Sequence, residues 1–321
     1  MDIVIIKLGA IGDVIRTTAI LAGLKAKYKN CRIDWVTKKE SFDVLKNNNF
    51  INNIHIIDNK TIKKLKNKAY YLTISLDDGH EACELAAKVD SKKIIGAYLK
   101  NNKKTYTNNS SLWFDMGLLS RFGKQKADWL KAKNKKTYQE IMYKILGLKY
   151  KKQEPVLILN KNELDFGKEF AQKHDIKNSD LVIGINTGAG GRWEDKKLGI
   201  EETAELIDKL NKIRNVKILL FGGHEEKERN KKIKELVKTK IIDAGCNNSL
   251  MEFASLVNLC NVLVTSDSLA LHIGTALKKK VVAFFCPTSP NEIELYSRGI
   301  KLIPKKGCIC CYKPKMRWLR V

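Results

Sequence analysis

No apolar run in this chain approaches the roughly 20 residues a helix needs to cross a bilayer. The opening MDIVIIKLGAIGD, with acidic Asp2 and an early glycine-rich turn, is not expected to act as a secretory signal. Cysteine is sparse: eight in 321 residues, without the regular spacing of a disulfide framework, which suits a reducing, cytoplasmic compartment. There is no GxGxxG turn for an NAD-type pyrophosphate and no GxxxxGK[ST] loop for a P-loop nucleotidase. Helix–turn–helix, zinc-finger and RNP patterns are also missing, so nucleic acid is not an expected partner. Arginine is rare, with only nine among the 60 basic residues.

What is present is a 44% hydrophobic chain, long enough for two domains with sizeable cores. That balance excludes intrinsic disorder, a disulfide miniprotein and a collagen-like fibre. The net charge of +25 has two readings. One is attraction to an anionic partner, such as a membrane surface or a phosphorylated glycolipid. The other is a lysine-rich solvated surface, since net charge reports association rather than fold.

Short β-branched runs alternate with helical stretches. The first half offers strands at 2–8, 32–38, 53–58, 70–76 and 92–99, with helices at 14–28 and 81–89. The second repeats the plan, with strands at 181–188, 216–223, 240–245, 261–267 and 281–287 and helices at 200–213, 225–237, 249–260 and 268–278. This alternation predicts an α/β protein with two Rossmann-like, doubly wound parallel-sheet domains facing a central cleft. The lysine-rich, mostly helical stretch 124–180, with Pro155, breaks the rhythm. It places the boundary near 160, giving an N-terminal domain over 1–160 and a C-terminal domain over 161–321. Ligands of such sheets bind at the carboxyl ends of the strands.

Four loops at those ends carry candidate chemistry. In KLGAIGD, Gly9 and Gly12 allow a tight turn and close approach of a ligand. Asp13 is either the N-cap of the next helix or a carboxylate serving as general base. In NTGAGGRWEDKK (186–197), Thr187, Gly188, Gly190 and Gly191 offer a hydroxyl and accessible amides ahead of a helix N-terminus. Arg192, with Lys196 or Lys197, adds positive charge for a diphosphate. In FGGHEEKE (221–228), Glu225 or Glu226 either binds ribose hydroxyls or favours the helix dipole. In TSDSLALHIGTAL (265–277), Asp267 and Ser268 can cap the following helix, and His272 shares a face with Ser268. His272 is either a satisfied core side chain or a donor to an anion.

Taken in order, IVIIKLGAIGDVIRTTAILAGLK, RIDWVT, GAGGRW, FGGHEE and TSDSLALHIGTALKKKVVAFFCPTSP resemble the motifs of glycosyltransferase family 9, the lipopolysaccharide heptosyltransferases. The resemblance covers nearly the whole chain. It implies a GT-B architecture, an inverting reaction without metal or cofactor, an ADP-heptose donor, and a lipopolysaccharide-core or related glycan acceptor. Residue by residue, it makes Asp13 the general base and puts Thr187, Gly188 and Arg192 beside the donor diphosphate. It puts Glu226 at the ribose, and Asp267, Ser268, Leu269 and His272 around the diphosphate and heptose. Two positions depart from the pattern. Gly191 stands where many members have lysine, and Leu269 where glycine is frequent.

The expected protein is therefore a cytoplasmic glycosyltransferase acting on an anionic, lipid-linked or polysaccharide acceptor, with peripheral contact at the inner membrane. A nucleotide-sugar epimerase and a non-catalytic sugar-binding module are the alternatives. At the C-terminal end, Cys308, Cys310 and Cys311 are spaced C-x-C-C, unlike common zinc patterns, and are expected to be unpaired thiols. Trp318 with its basic neighbours reads as a solvated tail or a membrane contact.

Overall fold

The computed structural model describes residues 1–190, 196–286 and 288–304. The chain divides into two units. The first is Met1–Leu157 joined by Asn291–Glu294; the second is Ile158–Pro290, continuing from Leu295. Among the described residues, no helix is long and apolar enough to cross a membrane.

The first unit runs β1 (Asp2–Ile6), α1 (Ile11–Thr17), α2 (Ile20–Lys27), β2 (Arg32–Thr37), β3 (Asn53–Ile56), α3 (Asn59–Lys66) and β4 (Tyr70–Ser75). It continues with α4 (His80–Lys88), β5 (Ser91–Lys100), β6 (Lys103–Tyr106), α5 (Ser111–Phe114), α6 (Gly123–Lys133) and α7 (Tyr138–Ile145). The strands lie in the order β3-β2-β1-β4-β5-β6. β1 is buried from Ile3 to Ile6, as expected of a central parallel strand covered on both faces. It sets the register by placing Ile3 beside Ile33 and Leu72. The strand order reverses between β1 and β4, so loops leaving these two strands diverge and open a crevice at their carboxyl ends.

Two features depart from the sequence expectation. The helix expected over 14–28 is broken into α1 and α2. The Thr17 hydroxyl donates to the Asp13 carbonyl (2.6 Å) and the Thr18 hydroxyl to the Ile15 carbonyl (2.6 Å), while Tyr143 donates to the Ala19 carbonyl (2.8 Å). These side-chain bonds compete with the helical ladder at the break. The sheet is also not wholly parallel. β5 and β6 form an antiparallel hairpin whose two turn residues, Asn101 and Asn102, have φ of 49° and 58°. Asparagine tolerates that left-handed region, and such a turn matches the twist of the strands it joins.

The second unit runs α8 (Lys161–Lys173), β7 (Leu181–Asn186), α9 (Ile200–Leu210), β8 (Val216–Phe221), α10 (Lys227–Leu236) and β9 (Ile242–Asp243). It ends with α11 (Leu250–Leu259), β10 (Val262–Ser266), α12 (Leu269–Ala276), β11 (Lys280–Phe284) and β12 (Gly299–Leu302). Their order is β12-β11-β10-β7-β8-β9, all parallel, with the reversal between β7 and β10. β9 has two residues where 240–245 was expected, and β12 is an additional strand beside β11. α8 opens on a capping box between Asn160 and Glu163 and is held to α11 by the Ser255 hydroxyl, which donates to the Glu163 carbonyl. One core layer joins Ile183, Ile185, Ile218 and Leu220 of the strands to Ile207 of α9 and Ile233 of α10.

Candidate functional site

Each unit has a cavity at its own strand-order reversal. In the first unit, Lys7 follows β1, and its ammonium donates to the Leu76 carbonyl (3.1 Å) and pairs with Asp77, just beyond β4. Asp77 also accepts from the amides of Leu8 and Gly9, the latter at 3.1 Å. Gly9 is required by this closeness, because a Cβ there would lie 2.9 Å from the Asp77 carboxylate. Burial alone would lower the Lys7 pKa, but the charge of Asp77 overrides it and the pKa rises, so Lys7 stays cationic. Lys7, Asp13, Asp77, Trp113, Lys131 and Glu292 line a cavity of about 220 Å³.

Asp13 lies in the first turn of α1. The N-cap is Ala10, so the capping reading of Asp13 does not hold. Its carboxylate meets Arg16 one turn on, Nη2 to Oδ1 2.8 Å. The Arg16 guanidinium lies 4.0 Å from the ring centre of Tyr138 and 5.7 Å from that of Trp113. The Tyr138 hydroxyl is within 2.7 Å of the Thr17 hydroxyl, which ties the ring back to α1. Glu292, in the returning segment, lies 4.0 Å from Arg16 and 3.6 Å from Lys131. Asp13 thus presents a partly exposed carboxylate to a cavity, beside an arginine that itself packs on the Tyr138 ring and near that of Trp113.

In the second unit a cavity of about 460 Å³ opens at the ends of β7, β8 and β10. Its lining includes Gly188, Gly190, Gly222, Glu226, Ser268 and Leu269. Asn186 spans the reversal, its amide donating to the Gly188 carbonyl (2.8 Å) and the Thr265 hydroxyl (3.1 Å). Ser268 holds the N-cap position of α12, but its side chain makes no capping bond and instead meets the Thr265 hydroxyl at 3.0 Å. The first turn of α12 therefore receives no side-chain cap from Asp267 or Ser268, contrary to the capping expectation. It presents Ser268, Leu269 and Ala270 to the cavity. Uncapped helix amides and the positive end of the dipole favour an anion there.

Two carboxylates in the loops around this cavity, Glu226 and Asp267, are matched by lysines. Glu226 is buried; its Oε2 accepts from the Gly223 amide (3.0 Å) and its Oε1 lies 3.3 Å from Lys197. Gly188 packs on this carboxylate, and a Cβ there would approach it to 2.9 Å. Asp267 pairs with Lys196, whose ammonium donates to its Oδ2 (3.1 Å) and carbonyl (2.9 Å). Burial tends to raise the Asp267 pKa, but Lys196 and His272 outweigh it, so the carboxyl sits below the ordinary range. Lys196 and Lys197 are thereby engaged by Asp267 and Glu226.

The structure places Thr187 away from the cavity lining. It is buried, and its hydroxyl donates to the Phe221 carbonyl (3.0 Å) and lies 2.6 Å from the Asn230 amide oxygen. His272 is half-buried on α12. Arg192 and Gly191, like Cys308, Cys310, Cys311 and Trp318, lie outside the described residues. The sequence reading missed Lys7, Arg16, Asp77, Asn186 and Glu292. Lys7 and Asn186 sit inside the loops it singled out, whereas Asp77 carries no local signal beyond its place after a strand.

Two Rossmann-like α/β units, each with a cavity at its strand reversal, define the GT-B class of fold. A family model described as glycosyltransferase family 9 (heptosyltransferase) matches residues 59–314, and the chain belongs to this family. Lipooligosaccharide heptosyltransferase 2 of Campylobacter jejuni is 30% identical over 136 residues, so the match spans 39% of this chain and 40% of that relative's length. A family 9 glycosyl transferase from Veillonella parvula has the same fold, with TM-score 0.77, 21% identity and coverage of 94% of this chain and 86% of that one. The Escherichia coli heptosyltransferase WaaC with ADP-2-deoxy-2-fluoro heptose gives TM-score 0.62 and 17% identity over 94% and 93% of the two chains.

Proposed function

We propose that the protein is an inverting, metal-independent glycosyltransferase that moves a heptose from ADP to a hydroxyl of a lipopolysaccharide-core or related glycan. Membership of the heptosyltransferase family supports the reaction class. The ADP-linked heptose analogue carried by the E. coli relative supports the donor. The single observation that carries the reading is the cavity of the second unit, where glycine loops and the uncapped first turn of α12 meet at the strand reversal.

In this reading Asp13 takes the proton of the acceptor hydroxyl as that oxygen attacks the anomeric carbon. The bond from that carbon to the diphosphate breaks on the opposite face, and ADP leaves. Its developing charge is met by the amides of the α12 turn and by Arg192, with Asp267, Ser268, Leu269 and His272 around the diphosphate and sugar. Glu226 is assigned to the ribose, and Gly188 lets the nucleotide approach the backbone. Lys197 and Lys196 already neutralise Glu226 and Asp267, which favours charge compensation by protein groups over an acidic metal-binding pair. Gly9 and Gly12 shape the acceptor-side loop.

Asp13→Asn tests the assignment. Transfer from ADP-heptose should fall by about 10²–10⁴-fold, the usual worth of a general base, while calorimetric affinity for ADP-heptose stays within error. Ordinary turnover in that variant removes Asp13 from the mechanism. Donor breakdown with no acceptor present, leading to an isomerised nucleotide sugar, overturns the transferase reading.

A further inference from the structure

Beside the Asp13 cavity, the first unit carries a helix that packs very little. α6 reads GKQKADWLKAK, and Ala127 is its one buried residue. Most helical stability in proteins comes from burying an apolar face, and α6 gains little in that way. Large apolar side chains here are instead left in water. Leu118 is 92% exposed, Phe122 55% and Trp129 49%. Phe122 immediately precedes the helix, and Trp129 follows two turns later, so the two rings share a face.

That face is also cationic. The Lys126 and Lys133 ammonium groups lie 4.0 and 5.2 Å from the Trp129 ring centre, and the Arg121 guanidinium, paired with Asp115 at 3.1 Å, lies 5.8 Å from that of Phe122. Lys124 is paired with Asp128 (2.7 Å), the only acidic residue of α6, which leaves the helix strongly positive. An indole with a polar N–H, flanked by two lysines and accompanied by the apolar Phe122 ring, matches the chemistry of a bilayer interface. The rings enter at headgroup depth while the ammonium groups extend to phosphates.

We propose that the face formed by Leu118, Phe122, Lys126, Trp129 and Lys133 docks on an anionic phospholipid surface. Charge complementarity selects this occupant, since a face with Lys126 and Lys133 against its indole, on a chain of net charge +25, is drawn to anionic lipid. Leu118 also lines the Asp13 cavity, as does Lys131 of α6. Docking would bring that cavity to the headgroup layer, where a lipid-linked acceptor presents its sugars. This last consequence rests on the transferase reading; the lipid binding does not.

Co-sedimentation of the full chain with vesicles of phosphatidylglycerol and phosphatidylethanolamine tests it, with phosphatidylcholine vesicles as the neutral comparison. The expected result is binding to the anionic vesicles alone, weakened as salt rises from 50 to 500 mM. The combined L118S/F122S/W129S variant should lose at least tenfold in binding with an unchanged Tm. K126Q/K133Q should lose about fivefold per lysine. Wild-type binding by both variants overturns the proposal. So does a wild-type dimer in light scattering that the serine variant abolishes, because the patch would then serve a second copy of the chain. On the enzymatic side, an F122S/W129S variant, which leaves the cavity lining intact, should keep transfer to a delipidated acceptor and lose it on a vesicle-embedded one. Absence of transfer to any acceptor by the wild type defeats the transferase reading and leaves the vesicle result standing.

Discussion

At the scale of single residues, the first cavity depends on how Asp13 is held. Arg16 reaches Asp13 and Glu292 while packed on Tyr138, so under the proposed reaction it positions the base. Arg16→Ala should lower kcat at least tenfold with little change in donor affinity. Arg16→Lys should recover only part of it, because an ammonium lacks the planar fork that spans two carboxylates. Steady-state kinetics beside calorimetry separates the two effects. Asp267 in the second unit gives a pH signature. Its folded-state pKa lies below the ordinary value, so its stabilising contribution is full above roughly pH 4 and fades as pH falls through the lowered value. The stability gap between the wild type and Asp267→Asn should therefore be flat at neutral pH and close in acid, as read by urea denaturation at stepped pH. The placement of Asp13 and Asp267 just beyond strands was legible in the sequence because each follows an apolar run within a short glycine- or serine-containing motif. Asp77 was not, since its partner Lys7 lies 70 positions away and only the β1–β4 pairing brings them together.

Among the elements, the alternation of strands and helices was legible because parallel strands buried on both faces must be continuously apolar. The hairpin of β5 and β6 was not read, although Asn101-Asn102 between KKIIGAYLK and KKTY is a turn signal. The split between α1 and α2 was hidden for a different reason. Its causes are hydroxyls that bond backward and a tyrosine arriving from α7. β5 shows what one position can demand. Gly96 has φ +113°, and a Cβ there would overlap the Ser75 carbonyl oxygen across the β4–β5 pairing. Gly96→Ala should cost about 3 kcal/mol through strain and sheet displacement, measured by chemical denaturation. An effect under 0.5 kcal/mol would mean that the strands can separate there without loss.

For the molecule as a whole, two mainly parallel sheets were readable from composition and period. The assignment of Asn291–Glu294 to the first unit was not, because nothing local in the sequence PNEIEL marks a return. Glu292 completes the charge set around Arg16 and Lys131, and the Asn291 side-chain amide donates to the Asn134 carbonyl (2.8 Å). Glu292→Ala should destabilise the first unit by about 1–2 kcal/mol, since it strips a partner from half-buried cations. Hydrogen exchange should show the loosening at α1 and the 113–118 loop, and spare β7–β10. An even change across both sheets would argue against this local role.

That borrowed segment also sets an order of events during synthesis. A ribosome that has finished residue 157 has not yet made Glu292, and at usual elongation speeds about 10 s pass before it does. Throughout that interval the nascent amino-terminal half carries Arg16 and Lys131 without their late acidic counterpart. The charge set around Arg16 and Lys131 is therefore closed only once the distal half has been made.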